Sequence, residues 1–308
     1  MVMKKVISDI IRINSISQYH QLMGLPKPQH PLVSILRFED LPVVANEGNI
    51  KFIMDFYTVT IKKDCECKVQ YGQTHYDFDE GVMSFIAPEQ IFTLEGDFTP
   101  PTKGWLLAFH PDFVRNYPIG QKIKAYGFFH YAMNEALILS DKEEASVENI
   151  FNNIETEYHL PIDNFSQDVI IAQLELLLTY ANRYYNRQFI TRKAPASDLL
   201  TKMEIVLADY FNGHSMVNES LPSVTFLADQ LNMSPKYLSD TLRNLTGQST
   251  QQHIQNKVIE KAKQILMVTN LSVSEIAYQL GFEYPQSFNK LFKKKTNLSP
   301  LEFRESFN

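Results

Sequence analysis

The sequence predicts an α+β protein of two domains, an amino-terminal β-barrel with two flanking helices and then an all-α domain. Short β-rich runs separated by turn signals occupy residues 32–110, a pattern typical of small barrels and sandwiches. After residue 140 the apolar residues recur at helical spacing instead, which indicates amphipathic helices. One helical pattern then occurs twice near the carboxy terminus. The length of 308 residues is sufficient for two domains that each bury a core.

The barrel is predicted from a series of strand-like runs, namely LVSILRF, KFIMDFYTVTIKK, CKVQY, THYDF, GVMSFIAP, IFTLEG and GWLLAFH. The pairs Glu80-Gly81, Glu95-Gly96 and Pro100-Pro101 supply turns between them. Aromatic side chains in these runs either line an apolar ligand pocket or form the core. They are Phe52, Phe56, Tyr57, Tyr71, Tyr76, Phe78 and Phe85. For any single ring the core is the favoured interpretation.

Metal-dependent chemistry is not favoured for this region. A metal-binding barrel enzyme needs clustered His and Glu side chains, whereas His75 and His110 lie far apart in the sequence. His110 is interpreted as a buried, hydrogen-bonded residue rather than as part of a pocket. The two cysteines, Cys65 and Cys67, alternate along an apparent strand. Their thiols would point to opposite faces, which argues against a disulfide or a metal site.

Two helices are predicted after the barrel. Ser140 and Glu143 form a capping box that opens the first. Its apolar stripe consists of Val147, Ile150, Phe151, Ile154 and Tyr158. The second runs from Ser166 to about Asn186 and has two apolar stripes. One contains Ile170, Leu174, Leu177, Leu178, Ala181 and Tyr184; the other contains Val169, Ala172, Leu176 and Tyr180. A helix that is apolar on two sides must be covered twice. The barrel is one cover, and a partner subunit or the second domain is the other.

Residues 191–197, which include the run RKAPAS, are predicted to link a first domain, residues 1–190, to a second, residues 198–308. A helix over Asp198–Phe211 is expected to open the second domain. A further helix over Gln251–Val268, about 25 Å long at 1.5 Å per residue, joins the two copies of the repeated pattern.

The repeated pattern is predicted to be a helix-turn-helix. Val224–Leu245 matches Val273–Lys295 at an offset of forty-nine and then, after one added residue, fifty. In each copy a short amphipathic helix ends in a turn at Asn232 or Gly281, and proline opens a second helix. A small alanine, Ala228 or Ala277, lets the two helices cross closely.

The second helix of each copy presents a polar face. On a wheel at 100° per residue the polar face of the first copy contains Lys236, Ser239, Asp240 and Arg243. The polar face of the second contains Gln286, Asn289, Lys290 and Lys293, whereas Lys295 falls on the inner side. One such helix is equally typical of a solvated surface. Two copies in register favour a pair of recognition helices that read DNA major grooves.

The stretch Lys261–Arg304, KAKQILMVTNLSVSEIAYQLGFEYPQSFNKLFKKKTNLSPLEFR, resembles the signature of the AraC/XylS family of bacterial transcription factors. The resemblance covers residues 198–308. It implies an AraC-type double helix-turn-helix domain behind a cupin-like sensor and dimerisation domain. The residues that align with the family's base-facing positions are Lys236, Ser239, Asp240, Gln286, Ser287, Asn289 and Lys290. Lys293 and Lys294 are expected to contact the DNA backbone.

Two residues depart from the family pattern. Asp240 stands where a basic or neutral residue is commoner, and Asn297 replaces a usual glycine. Asparagine tolerates the left-handed conformation, so the second change is mild.

The charge distribution agrees with a DNA-binding second domain. The chain carries a net charge of −6, but eleven basic and eleven acidic residues balance from Asp198 onward. Between Pro285 and Arg304 there are five basic residues and one acidic residue. This local field is sufficient because electrostatic attraction acts within a Debye length of ~8–10 Å.

The sequence therefore predicts a ligand-responsive transcription regulator that is not an enzyme and needs no cofactor. The expected partners are double-stranded promoter DNA, a small-molecule effector of unknown identity, a second copy of the chain and, implied by the resemblance, RNA polymerase. Asp9 and Arg12 interrupt any export core, and no apolar run reaches the ~20 residues of a membrane span, so we expect a cytoplasmic protein. Two alternatives stay open: a cupin-type enzyme fused to a DNA-binding domain, and a ligand-independent DNA-binding protein.

Overall fold

The computed structural model describes residues 10–41, 50–63, 69–71, 74–76, 81–94, 102–132, 135–191, 193–212 and 220–306. The chain divides into two compact units, Met1–Gln188 and Phe189–Asn308. The predictions for Cys65, Cys67 and the turns at Glu80 and Glu95 concern residues outside these ranges.

The described residues of the first unit form ten strands. They are β1 (Ile11–Ile13), β2 (Val33–Arg37), β3 (Ile50–Met54), β4 (Tyr57–Lys63), β5 (Val69–Tyr71), β6 (Thr74–Tyr76), β7 (Val82–Ile86), β8 (Ile91–Leu94), β9 (Lys103–Phe109) and β10 (Leu137–Ile138). Every predicted run contains at least one of them. The short β1 and β10 were not predicted, because three or two residues carry no recognisable alternation.

The strands form three sheets, and among the described residues they do not close into the predicted barrel. A five-stranded sheet has the order β10-β7-β4-β9-β2, a three-stranded sheet has the order β1-β3-β8, and β5 pairs with β6. The run KFIMDFYTVTIKK, which reads as one strand, is interrupted at Asp55, whose N–H donates to Ile13 O at 3.0 Å. The chain therefore passes from the three-stranded sheet to the five-stranded sheet at this point.

The two larger sheets share an apolar core. Ile13, Met54 and Phe56 pack with Ile86 and Ala108 of the five-stranded sheet. Phe56 and Phe85 are buried, which agrees with the interpretation of the aromatic residues as core. The rings of Tyr57 and Phe109 stack with their centroids 5.1 Å apart. The side chains of Tyr71, Tyr76 and Phe78 lie outside the described part of the chain.

His110 caps a short helix instead of being fully buried. Its Nδ1 accepts a hydrogen bond from the N–H of Asp112 at 3.2 Å, and its side chain is half-buried. The side chain of His75 lies outside the described residues.

The helices of the first unit are α1 (Ile16–Leu22), α2 (Pro111–Val114), α3 (Pro118–Lys122), α4 (Asp141–His159) and α5 (Ser166–Thr191). The predicted capping box is confirmed at the start of α4, where Ser140 N donates to Glu143 Oε2 at 3.0 Å. The whole predicted stripe of α4 is buried. Its Phe151 ring stacks on Trp105 of the five-stranded sheet, with centroids 5.9 Å apart.

Helix α5 has one buried and one exposed apolar stripe. The predicted inner stripe, from Ile170 to Tyr184, is buried. In the outer stripe Val169 is 41% exposed and Leu176 is 44% exposed, and Phe165, just before the helix, is 69% exposed. The helix is therefore apolar on two sides, as predicted, and among the described residues the outer stripe contains exposed apolar side chains.

The helices of the second unit are α6 (Lys193–Asn212), α7 (Val224–Gln230), α8 (Pro235–Thr246), α9 (Thr250–Val268), α10 (Val273–Gln279), α11 (Pro285–Thr296) and α12 (Pro300–Glu305). The segment predicted as a linker, residues 191–197, is helical where it is described, since α5 ends at Thr191 and α6 begins at Lys193. The division into domains of residues 1–190 and 198–308 stays a prediction.

Helix α9 is central to the second unit's core. Its predicted inner residues, Ile254, Val258, Ala262 and Ile265, are all buried. They share one cluster with Met203 and Leu207 of α6 and with the inner residues of α7, α8, α10 and α11. None of the described helices combines the length and apolar character that a membrane span requires.

Candidate nucleic-acid interface

The two copies of the repeated pattern fold alike. In each, the turn between the helices contains a residue in the left-handed region, Asn232 with φ 53° or Gly281 with φ 87°. Ala228 and Ala277, one in the first helix of each copy, are 0% exposed. The helix-turn-helix geometry and the close helix crossing are therefore confirmed in both copies.

Similar caps define where the helices of both copies begin. Ser223 accepts from Phe226 N at 2.9 Å to start α7, and Ser272 accepts from Glu275 N at 3.2 Å to start α10. Helix α8 starts with Ser234, which accepts from Tyr237 N at 3.2 Å. Tyr284 replaces this serine before α11 and provides no side-chain cap. Proline at the first position of both helices fixes the backbone there.

The repeat continues beyond the residues that the sequence comparison matched. Gly247 with φ 74° and Asn297 with φ 64° end α8 and α11, which confirms that asparagine tolerates this conformation. Fifty residues apart, Ser249 and Ser299 then form capping boxes with Gln252 and Glu302. The sequence contains the patterns Ser-x-x-Gln and Ser-x-x-Glu at these positions. They could have predicted this continuation of the repeat and the start of helix α12.

The polar face of α11 is open to solvent. Every predicted contact residue on it is exposed, namely Gln286, Ser287, Asn289, Lys290, Lys293 and Lys294. A concave surface lies beside it, lined by Asn289, three of the lysines and the start of α12 at Ser299. The amides can pair with base edges, and the ammonium groups can pair with phosphates.

The lysines of α11 sit at its carboxy-terminal end, where they complement the helix dipole. Glu302 lies close to them. Hydrogen bonds from the backbone and side chain of Ser299 lower the pKa of Glu302, and the positive charge of Lys293 lowers it further. Glu302 is therefore ionised at neutral pH, and it offsets part of the local positive charge.

The corresponding face of α8 differs, because three of its four polar side chains have partners within the second unit. Lys236 Nζ lies 3.0 Å from Asp240 Oδ1, and the Asp240 side chain is 17% exposed. The hydroxyl groups of Ser239 and Thr250 are 3.1 Å apart, and Ser239 is half-buried. Arg243 is exposed. The predicted exposure of the whole α8 face is therefore wrong for Ser239 and Asp240, because α9 and Lys236 provide partners that a helical wheel does not show.

Lys295 faces inward, as the wheel predicts. Its Nζ donates to Oδ1 of Asn256 on α9 at 2.8 Å. The three consecutive lysines of α11 thus divide into two that face solvent and one that bonds to the helix joining the copies.

In the described part of the chain, no group of three or more His, Cys, Asp or Glu side chains is arranged to hold a metal ion.

Comparisons with known proteins agree with this geometry. Residues 227–306 match the family model described as "Helix-turn-helix domain". The chain is 31% identical over 147 residues to YfiF, an uncharacterized HTH-type transcriptional regulator of Bacillus subtilis (strain 168). The aligned residues cover 47% of this chain and 43% of YfiF. It is 28% identical over 151 residues to the HTH-type transcriptional activator RhaS of Escherichia coli O1:K1 / APEC, covering 49% of each. The matched region thus spans less than half the length of these two relatives.

A solved structure is similar to about a third of the chain. It is the carboxy-terminal domain of the two-component response regulator yesN from Fusobacterium nucleatum subsp. nucleatum ATCC 25586, with 30% identity, 33% of this chain and 96% of that chain covered, and a TM-score of 0.29. The family match thus places a helix-turn-helix domain at residues 227–306, and both curated relatives are named as HTH-type transcriptional regulators.

Proposed function

We propose that the chain regulates transcription by binding promoter DNA through α8 and α11, and that its amino-terminal unit adjusts this binding in response to a small molecule. The repeated helix-turn-helix with the open basic face of α11 is the observation that carries the proposal. An α-helix with its side chains is about 10–12 Å across, so α8 or α11 can enter a major groove that is ~12 Å wide. The two copies are joined by α9, so one chain presents two helices to DNA.

The length of α9 suits two adjacent major grooves. Its 19 residues span about 28 Å at 1.5 Å per residue. Successive major grooves on one face of DNA are about 34 Å apart. A joining helix of this length keeps the two helix-turn-helix units close to that separation.

We assign different contacts to the two helices. On α11, Gln286, Ser287, Asn289 and Lys290 read base edges, and Lys293 and Lys294 contact phosphates. On α8, Arg243 contacts DNA as it stands, whereas the Lys236–Asp240 pair must either present its polar atoms together or open on binding. Ser239 contributes only if its bond to Thr250 is exchanged for one to DNA.

The amino-terminal unit is proposed to be a cupin-like sensor that also forms the homodimer. Its β-rich core and flanking helices agree with the family resemblance, and the exposed stripe of α5 around Leu176 offers apolar surface to a second copy. RNA polymerase as a partner and the small-molecule effector are implied by the resemblance. A cytoplasmic location is expected because Asp9 and Arg12 interrupt any export core.

Selection from a random double-stranded DNA library with the purified full chain tests the proposal. We expect a sequence with two half-sites to be enriched, and we expect Asn289→Ala combined with Lys290→Ala to abolish its binding. Lys142→Ala, at an exposed lysine of α4, serves as a control and should bind like the wild type. Enrichment of no sequence by the wild-type chain would contradict the proposal.

A further inference from the structure

A polar bridge joins the ends of α8 and α11 through the middle of α9. Asn256 Nδ2 donates to Oε1 of Gln248, which follows α8, at 2.9 Å. Lys295 Nζ, in the last turn of α11, donates to Asn256 Oδ1 at 2.8 Å. All three side chains are half-buried. An ammonium only donates, so the Asn256 oxygen must face Lys295 and its amide nitrogen must face Gln248.

The bridge breaks the symmetry of the repeat. At an offset of fifty, Lys295 corresponds to Leu245, a half-buried apolar residue. An apolar side chain would therefore suit this inward position, and Lys293 and Lys294 already provide exposed charge. The ammonium of Lys295 is directed to the bridge instead of towards solvent. Removing an ammonium group from water costs free energy unless it finds a hydrogen-bond partner. For Lys295 that partner is Asn256 on α9.

Other polar contacts join α9 to one copy at a time. Ser239 and Thr246 of α8 bond to Thr250 and His253, at 3.1 and 2.9 Å. Arg304 of α12 donates from Nε to Leu266 O, in the last turn of α9, at 3.3 Å. Asn256 differs from these residues because its one planar amide bonds to both copies at once. A rotation of either copy about α9 would break at least one of its two bonds.

We propose that Asn256 is a positioning residue that fixes the angle and separation of α8 and α11, and so selects DNA whose two half-sites have one particular spacing. This inference rests on the proposed function. Insertion of one base pair between the half-sites rotates the second by about 34° and moves it by about 3.4 Å. With the bridge intact, the two helices cannot follow that change without losing contacts to one half-site.

The test uses the full chain and the DNA sequence that it selects from a random library, with base pairs then inserted or deleted between the half-sites. We expect the affinity of the wild type for DNA to fall about tenfold for each inserted base pair. Asn256→Leu, of similar size but without either bond, should bind the altered spacings within about threefold of the best one. Each half-site should still show its sequence preference, because no residue that faces DNA has changed.

Asn256→Asp is the matched control. A carboxylate at this position accepts from Lys295, and it also accepts from Gln248 once the Gln248 amide rotates to present its NH2 group. This variant should therefore keep the wild-type spacing preference. If Asn256→Leu proves unfolded by circular dichroism, Gln248→Met, which removes only the bond to α8, takes its place with the same expectation.

The outcomes separate the two proposals. The role of the bridge would be overturned if the wild type selects DNA and Asn256→Leu shows the same spacing preference. It would also be overturned if Asn256→Leu and Asn256→Asp tolerate altered spacings equally. Failure of the wild-type chain to select any DNA would instead overturn the proposed function.

Discussion

Lys236 and Asp240 form an ion pair one turn apart on α8, with 3.0 Å between Nζ and Oδ1. At an offset of fifty the corresponding residues of α11 are Gln286 and Lys290, and both are exposed. The charge of Lys236 is thus neutralised within α8, whereas Lys290 of α11 faces solvent. The second helix-turn-helix unit is therefore expected to supply most of the attraction for phosphates, and the first to supply discrimination between sequences.

Asp240→Ala should strengthen binding to random DNA. The substitution removes a negative charge from the DNA-facing side and releases Lys236 to contact a phosphate. If Asp240 also accepts from a cytosine, preference at one base pair should fall by about 1–3 kcal/mol. Affinity for random and selected DNA, measured side by side with an Asp229→Ala control on the exposed side of α7, checks this. Weaker binding of the variant to random DNA would contradict it.

Lys293→Ala and Lys294→Ala should each weaken binding to all sequences alike. Both lysines are exposed at the end of α11, where we place backbone contacts. Each lost phosphate contact reduces the slope of log affinity against log salt by about 0.9. Salt titrations of the two variants and of Lys142→Ala measure the effect. An unchanged slope in both lysine variants would show that these side chains do not contact phosphates.

The sequence predicted local features well and long-range pairing less well. The repeat, the left-handed turns at Asn232 and Gly281 and the inner stripe of α9 follow from residue spacing alone, because each depends on neighbours within a few turns. Two hydrogen bonds depend instead on how α9 packs: the one between Ser239 and Thr250, and the one from the Lys295 ammonium to Asn256. A wheel drawn for one helix cannot contain those partners.

The sheets illustrate the same limit. Alternating residues located the strands, but the pairing of β1 with β3 in parallel and the change of sheet at Asp55 involve segments far apart in the chain. Strand pattern does not determine which edges meet, so a closed barrel was expected where separate sheets are found.

Ala277→Trp should abolish DNA binding while the amino-terminal unit stays folded, and Ala228→Trp should do the same. Both alanines are fully buried where the two helices of their copy pack. An indole there overpacks the junction and costs about 1–3 kcal/mol or more. Gln279→Trp, at an exposed site on α10, adds the same ring without the overpacking and should bind normally. Wild-type affinity in either alanine variant would argue against the helix-turn-helix packing.

His253 should make the second unit less stable in mild acid. Burial lowers its pKa below the ordinary value, although the negative charge of Glu204 opposes the shift. The unfolded chain therefore binds a proton more readily than the folded chain. Stability from this group is present above the unfolded value of about 6.5 and is lost as the pH falls through the folded pKa. Denaturant unfolding of the full chain from pH 7.5 to 5 should show a smaller pH dependence in His253→Gln, and an equal dependence would contradict the assignment.

Leu176→Glu should prevent the proposed homodimer from forming. Leu176 is 44% exposed and Val169 is 41% exposed on the outer side of α5, and the exposed ring of Phe165 precedes them. Two large apolar side chains on the outer side of α5, with the ring of Phe165 just before the helix, form a surface that a second copy would remove from water. A carboxylate at Leu176 would have to be desolvated in that contact without a partner, which costs far more than the contact gains. Sedimentation of the full chain measures the change, with Asn182→Glu, at another exposed site of the same helix, as the charge-matched control that should stay dimeric. A monomeric wild-type chain, or a dimer that survives Leu176→Glu at the same concentration, would rule out this stripe as the interface.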